Sequence, residues 1–240
     1  MKTFLPLFVI CFCIILSSCS ESTDSGNNAI VRIRSEMTTG TVSIAVLSGK
    51  DITFLKSEVD SLRIKRVRIL LSEIKFHYEA EPTDSTDKLF KTGPFLFIGD
   101  STGTFFELAN GQIPAGIYEK IKFEIHRFST SDLTQYQNDS LFKDFATAER
   151  YSVIIEGISY KNGIENSFTY KGTPTANLSL KFEPSINLQS NVTTNIYLQV
   201  NPVHLLKSGN SVLDPSDPTN ANDIDNLIKS SIKVIRYLKK

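Results

Sequence analysis

From Ala29 onward the chain alternates apolar and polar residues with a period of two. In Gly116–Phe128 the odd positions Ile117, Ile121, Phe123 and Ile125 are apolar, while Lys120, Lys122, Glu124 and His126 occupy even ones. That pattern turns one side of an extended strand toward a core and the other toward water. Segments of the same kind recur at Ile30–Arg34, Val42–Leu47, Leu62–Leu71, Ile74–Tyr78, Phe95–Ile98, Thr104–Leu108, Tyr151–Tyr160, Phe168–Tyr170, Leu178–Phe182 and Thr194–Val200. Between Leu71 and Ile74 the apolar parity flips, so Ser72-Glu73 is expected to form a bulge within one long segment.

Turn chemistry separates the strands. Asn162-Gly163 joins two runs and predicts a hairpin, because both residues tolerate the positive φ of a tight, strand-compatible turn. Asn110-Gly111 and Pro114-Ala115-Gly116 predict a second tight connection. Many short strands with regular turns indicate an all-β chain built as an antiparallel sandwich or barrel. Two stretches break the rule. Ser129–Arg150 is polar, with Leu133, Tyr136, Leu141, Phe142 and Phe145 near helical spacing, which predicts a loop containing a short helix. At the C-terminus, Ile224, Leu227, Ile228, Ile232 and Ile235 form a helical stripe, with Asp223 and Asp225 early and Arg236, Lys239 and Lys240 late, so a dipole-matched helix is expected over 222–237.

The first 28 residues follow a different logic. Lys2 precedes an apolar run from Phe4 to Leu16, interrupted by Pro6 and closed by Ser17, Ser18 and Cys19. This is the layout of an export signal, and the run is shorter than the roughly 20 apolar residues a spanning helix needs. Leu16-Ser17-Ser18-Cys19 resembles the lipobox of bacterial lipoproteins. The resemblance implies a signal peptide over 1–18, diacylglyceryl transfer to the Cys19 thiol, cleavage before Cys19 and acylation of the new amino terminus. Two or more acyl chains give lasting attachment where one does not. Ser20 resembles the residue following the cysteine in outer-membrane lipoproteins. Residues 19–28, small and polar, read as a tether, and 29–240 as a single domain.

Composition narrows the chemistry. The chain has 26 basic and 26 acidic residues, so no basic excess is available to hold nucleic-acid phosphates. Its cysteines, Cys11, Cys13 and Cys19, all precede the domain, which therefore has no disulfide, thiolate metal site or thiol nucleophile. No GxSxG elbow is present, and His77, His126 and His204 lie far apart without HxH or HExxH spacing.

The order of RVRILLSEIKFHYE (66–79), TFFELAN (104–110), IPAGIYEKIKFEI (113–125), VIIEG (153–157) and LKFEPSINL (180–188) is similar to a family of bacterial secreted and lipid-anchored domains of unknown function. The resemblance implies a carbohydrate-binding-like or prealbumin-like β-sandwich. The expected fold is thus all-β: an immunoglobulin-like or prealbumin-like antiparallel sandwich with a C-terminal helix. The same turn-strand order also resembles a periplasmic copper-associated family that partners a haem peroxidase-like protein, although the chain contains no tryptophan.

Two candidate sites emerge. Asp214, Asp217, Asn220 and Asp223, with Asn222 and Asp225 nearby, offer clustered oxygens of the type calcium takes. The same residues also suit a turn and a helix N-cap, and they do not match an EF-hand loop. Phe95, Phe97, Phe105, Phe106, Tyr118, Tyr160 and Tyr170 lie on or beside strands, where an outward ring can stack on a sugar or partner protein. The sequence therefore predicts a non-enzymatic, lipid-anchored binding or structural module of the bacterial outer membrane, without catalytic residues or nucleic-acid partner. Its alternatives are carbohydrate binding or glycan processing, and periplasmic metal handling.

Overall fold

The computed structural model describes residues 27–38, 41–43, 59–78, 87–209 and 211–239. Cys19 and most of the expected tether lie outside them, as does the latter part of the strand expected over Val42–Leu47. The first strands are β1 (Asn28–Met37), β2 (Thr41–Ser43), β3 (Ser61–Tyr78), β4 (Asp87–Lys91), β5 (Phe95–Asp100), β6 (Phe106–Pro114) and β7 (Gly116–Ile125). Helix α1 (Thr130–Tyr136) precedes β8 (Val153–Lys161), β9 (Ile164–Gly172), β10 (Ala176–Leu188) and β11 (Thr193–Val200). The chain continues through α2 (Pro202–Leu206), β12 (Lys207–Ser208), β13 (Ser211–Val212), α3 (Ala221–Ser231) and β14 (Ile232–Lys239).

Two sheets form a β-sandwich. The smaller has the order β14-β11-β1-β6. In the larger, β3 is the axis: β8 pairs with its first half and β7 with its second, extended outward by β9 and β10 respectively. On its other edge lie β2, β5 and β4. Leu70 marks the handover, donating its amide to the Ser152 carbonyl and accepting from the His126 amide. The register between β3 and β7 shifts between Leu71 and Ile74, which is the bulge expected from the parity flip at Ser72-Glu73. One strand thereby sends Leu62, Ile64, Val67, Ile69 and Leu71 into the core before the bulge and Ile74 and Phe76 after it. The core continues through Val31 and Ile33 of β1, Ile196 and Leu198 of β11, and Ile224 and Ile228 of α3.

The insertion before β8 has its own apolar interior. Ser129 caps α1 by accepting from the Asp132 amide, and the Asp132 carboxylate accepts from the Ser129 amide, a reciprocal arrangement that satisfies otherwise orphan donors. Leu133, Tyr136 and Phe142 pack with Phe128 and Phe145 over Leu70, Leu96 and Ile154 on the outer side of β3, β5 and β8. A sheet normally leaves that side in water; here it needs a cover because Leu70, Leu96 and Ile154 face outward. Arg68 emerges beneath this cover and is 8% exposed. It bridges Asp144 of the insertion at 2.6 Å and Glu156 of β8 at 3.2 Å.

Several expectations need correction. The helix expected over 222–237 ends at Ser231, and Ile232–Lys239 pairs antiparallel with β11. Ile232 and Ile235 extend the helical stripe, but IKVIRYLK is also rich in β-branched and aromatic residues, and pairing satisfies the otherwise open edge of β11. Asn110-Gly111 is not a turn: both residues lie within β6, opposite Arg32 and Val31. Gly111 is used there for close packing against the Phe90 ring, which a Cβ would meet at 3.2 Å. β1 takes in Asn28, assigned above to the tether, and runs parallel to β11, an exception to the otherwise antiparallel pairing. The hairpin at Asn162-Gly163 forms as expected, with φ of 52° and 77°. Among the described residues, no helix is long and apolar enough to cross a membrane.

Candidate functional site

Past the bulge, β3 turns Lys75 and His77 outward. Register places Lys75 beside Lys122 of β7 and Leu89 of β4, and His77 beside Lys120 and Asp87. On β10, Asn177 pairs with Glu124 and Ser179 with Lys122. Period-two alternation on four adjacent strands thus collects polar side chains on one outer face. There they edge a groove of about 340 Å³. Glu73, Lys75, Asp87, Lys122, Glu124, Asn177 and Ser179 supply its donors and acceptors, while Phe123 and Leu178 reach it only beneath these residues, their side chains being buried in the core.

Asp87 is the hub. Its Oδ1 lies 2.7 Å from His77 Nδ1, and Lys122 Nζ donates to Oδ1 at 2.8 Å and Oδ2 at 2.9 Å. Partial burial pushes its carboxyl upward, but the hydrogen bonds and charges of Lys122 and His77 outweigh this and hold it below the usual carboxylate range. Glu73 pairs with Lys75, and its hydrogen bond and charge hold the ammonium above its usual value. Ser72 Oγ donates to Glu124 Oε2 at 3.0 Å, and His126 Nδ1 is 3.6 Å from Glu124 Oε1.

These contacts commit the groove's charged groups to one another.

The aspartate-rich segment is occupied with its own backbone. Asp214 Oδ1 accepts from the Ser216 amide at 2.9 Å, and Asp217 Oδ1 accepts from the Thr219 amide and hydroxyl at 2.8 and 2.7 Å. Asn220 Nδ2 donates to the Asp214 carbonyl at 3.1 Å, and Asn220 makes no side-chain cap bond to α3 although it sits at that helix's N-cap. Asp223 is an exposed first-turn residue of α3. Among the described residues, no group of three or more His, Cys, Asp or Glu side chains is arranged to hold a metal ion. His77, His126 and His204 stand on β3, after β7 and on α2. Of the aromatic candidates, Phe95, Phe97, Tyr118 and Tyr170 are buried, whereas Phe105 is 38% exposed.

Asp87 is the residue the sequence reading missed, because DKLFK is too short and too charged to register as a strand. The alternation that exposes Lys120, Lys122 and Glu124 was the legible part of the site. A scan of protein-family models finds no match, and a search of curated proteins by sequence finds none. Among solved structures, MbnP from Methylosinus trichosporium is similar at a TM-score of 0.40 and 11% identity, over 80% of this chain and 85% of that one. A likeness of that size assigns no function.

Proposed function

We propose that the chain is a lipid-anchored, non-enzymatic module of the bacterial cell envelope that binds a polar ligand in the groove around Asp87. The observation that carries the anchoring is Leu16-Ser17-Ser18-Cys19 at the end of an apolar run, followed by a sequence with no further cysteine. Binding is supported by the convergence of polar side chains from β3, β4, β7 and β10 on one depression. Pairing of the groove's charges supports recognition rather than turnover.

Glycan binding is the second reading. Asn177, Ser179 and the carboxylates along the groove offer hydrogen-bonding partners for sugar hydroxyls.

Fractionation of cells producing the full chain tests the anchoring: the protein should be in the detergent phase and move to the soluble exported fraction with Cys19→Ser. Glycan-array screening of the wild-type chain and the Asp87→Ala/Lys122→Ala double variant tests the groove. Ligands that depend on it should be lost in the variant, and unchanged binding would exclude the groove.

A further inference from the structure

The other sheet carries a second outward face. On β1, Arg32 is exposed and Arg34 half-buried, while Val31, Ile33 and Ser35 between and beside them point inward. Alternate residues of a strand stand about 6.8 Å apart, so the two guanidinium groups form a short row along the strand. Register flanks Arg32 with Asn110 of β6 and Asn195 of β11, and Arg34 with Glu107 and Tyr197. Tyr197 is covered by Phe105, ring edge to face, with centroids 4.9 Å apart. A shallow depression of about 400 Å³ is lined by Arg32, Glu107, Asn110 and Gln112 among others.

The carboxylates on this face, Glu107 and Glu36, are held by neutral amides, which leave their charge in place. Glu107 accepts from Asn110, and Glu36 accepts from Gln199 at 2.9 Å. Among the described residues, neither Arg32 nor Arg34 enters an ion pair. This differs from the groove, whose cations are mostly committed, and from Arg68, which two carboxylates hold.

We propose that this face binds an acidic polysaccharide, a linear glycan with a carboxylate on successive sugars. An uncommitted guanidinium matches a carboxylate with two parallel hydrogen bonds. A row of two along a flat strand suits a repeating anion better than a single small one. Asn110 and Gln112 offer donors and acceptors for sugar hydroxyls, and the exposed Phe105 ring offers a stacking surface. The site lies on a different sheet from the groove and stands independently of it.

The full chain, purified in a neutral detergent, would be titrated with polygalacturonate oligomers and with their methyl-esterified counterparts, which keep the backbone and lose the charge. The expected result is salt-sensitive binding of the acid form, weakened at least about tenfold by Arg32→Gln/Arg34→Gln. Arg32→Lys/Arg34→Lys should recover part of the binding, because charge remains without the bidentate geometry. Lys181→Gln/Lys229→Gln, at exposed positions lining neither this depression nor the groove, should leave it unchanged. Unchanged melting temperatures would establish that the variants fold. Equal binding of the methyl ester, no binding of the acid, insensitivity to the Arg32→Gln/Arg34→Gln change, or binding only to phosphatidylglycerol vesicles would overturn the proposal.

Discussion

Tyr170 on β9 donates its hydroxyl to Asp225 Oδ1 on α3 at 2.6 Å, and the same hydroxyl lies 3.1 Å from the Ala221 carbonyl. This pair ties the helix before the last strand to the core-facing side of β9. Burial pushes both groups upward. For Tyr170 the Asp225 hydrogen bond adds to the effect, and for Asp225 the Tyr170 hydrogen bond opposes it. Removing the hydroxyl with Tyr170→Phe leaves a half-buried carboxylate short of a donor, so a loss of about 1–2 kcal/mol is expected by denaturant titration.

The pH dependence at this pair has a definite sign. Because the folded Asp225 carboxyl is raised above its ordinary value of 3.8, the native state binds the proton more tightly than the unfolded chain. Its contribution is greatest at low pH and declines as pH rises through the raised value. Asp225→Asn keeps an acceptor for Tyr170 and should flatten that part of the stability profile. A profile unchanged by the substitution would contradict this.

Arg68 and Asp144 behave in the opposite sense. The Arg68 hydrogen bond and charge hold the Asp144 carboxyl below its ordinary 3.8, against a smaller upward push from burial. The stabilisation is present above that pH and lost as the medium is acidified through the lowered folded value. Amide exchange in 139–150 should accelerate in strong acid before the β-sheet amides do. Arg68→Met should cost about 2 kcal/mol. The figure sits below that of a fully buried pair because Asp144 and Glu156 have side chains 43% and 36% exposed and can rehydrate.

Gly116 shows why the turn before β7 takes the form it does. Its φ is +155°, and a Cβ there would overlap the Tyr78 ring. The adjoining Tyr118, fully buried with its phenol pushed up to about 12, donates to the Pro114 carbonyl at 2.7 Å. Tyr78 and Tyr118 meet edge to face, with centroids 5.2 Å apart. Gly116→Ala should therefore destabilise by about 2–3 kcal/mol, whereas Gly163→Ala, at a hairpin tip with open space around it, should cost about 1 kcal/mol through its positive φ alone. Paired thermal melts of the two variants check the order.

What was legible in the sequence had a local cause. The period of two located most strands, the parity flip at Ser72-Glu73 located the β3 bulge, and Asn162-Gly163 located a hairpin. Where local signals were ambiguous, tertiary pairing decided. IKVIRYLK fits helix and strand periods alike, and the open edge of β11 selected strand. Asn110-Gly111 carries turn chemistry, but pairing with β1 and the nearby Phe90 ring hold it extended. The candidate site was half legible: alternation exposed Lys122 and Glu124, but nothing local announced that Asp87, 35 positions from Lys122, would join them. In the aspartate cluster, turn residues and calcium ligands share the same oxygens, and Asp214 and Asp217 each accept from a neighbouring amide.

The most direct measurement is mass spectrometry of the N-terminal peptide of the protein isolated from its native cells. The account predicts that the mature chain begins at Cys19, with a diacylglyceryl group on sulfur and an acyl group on the amine. An unmodified Cys19 within a chain that still begins at Met1 would contradict it.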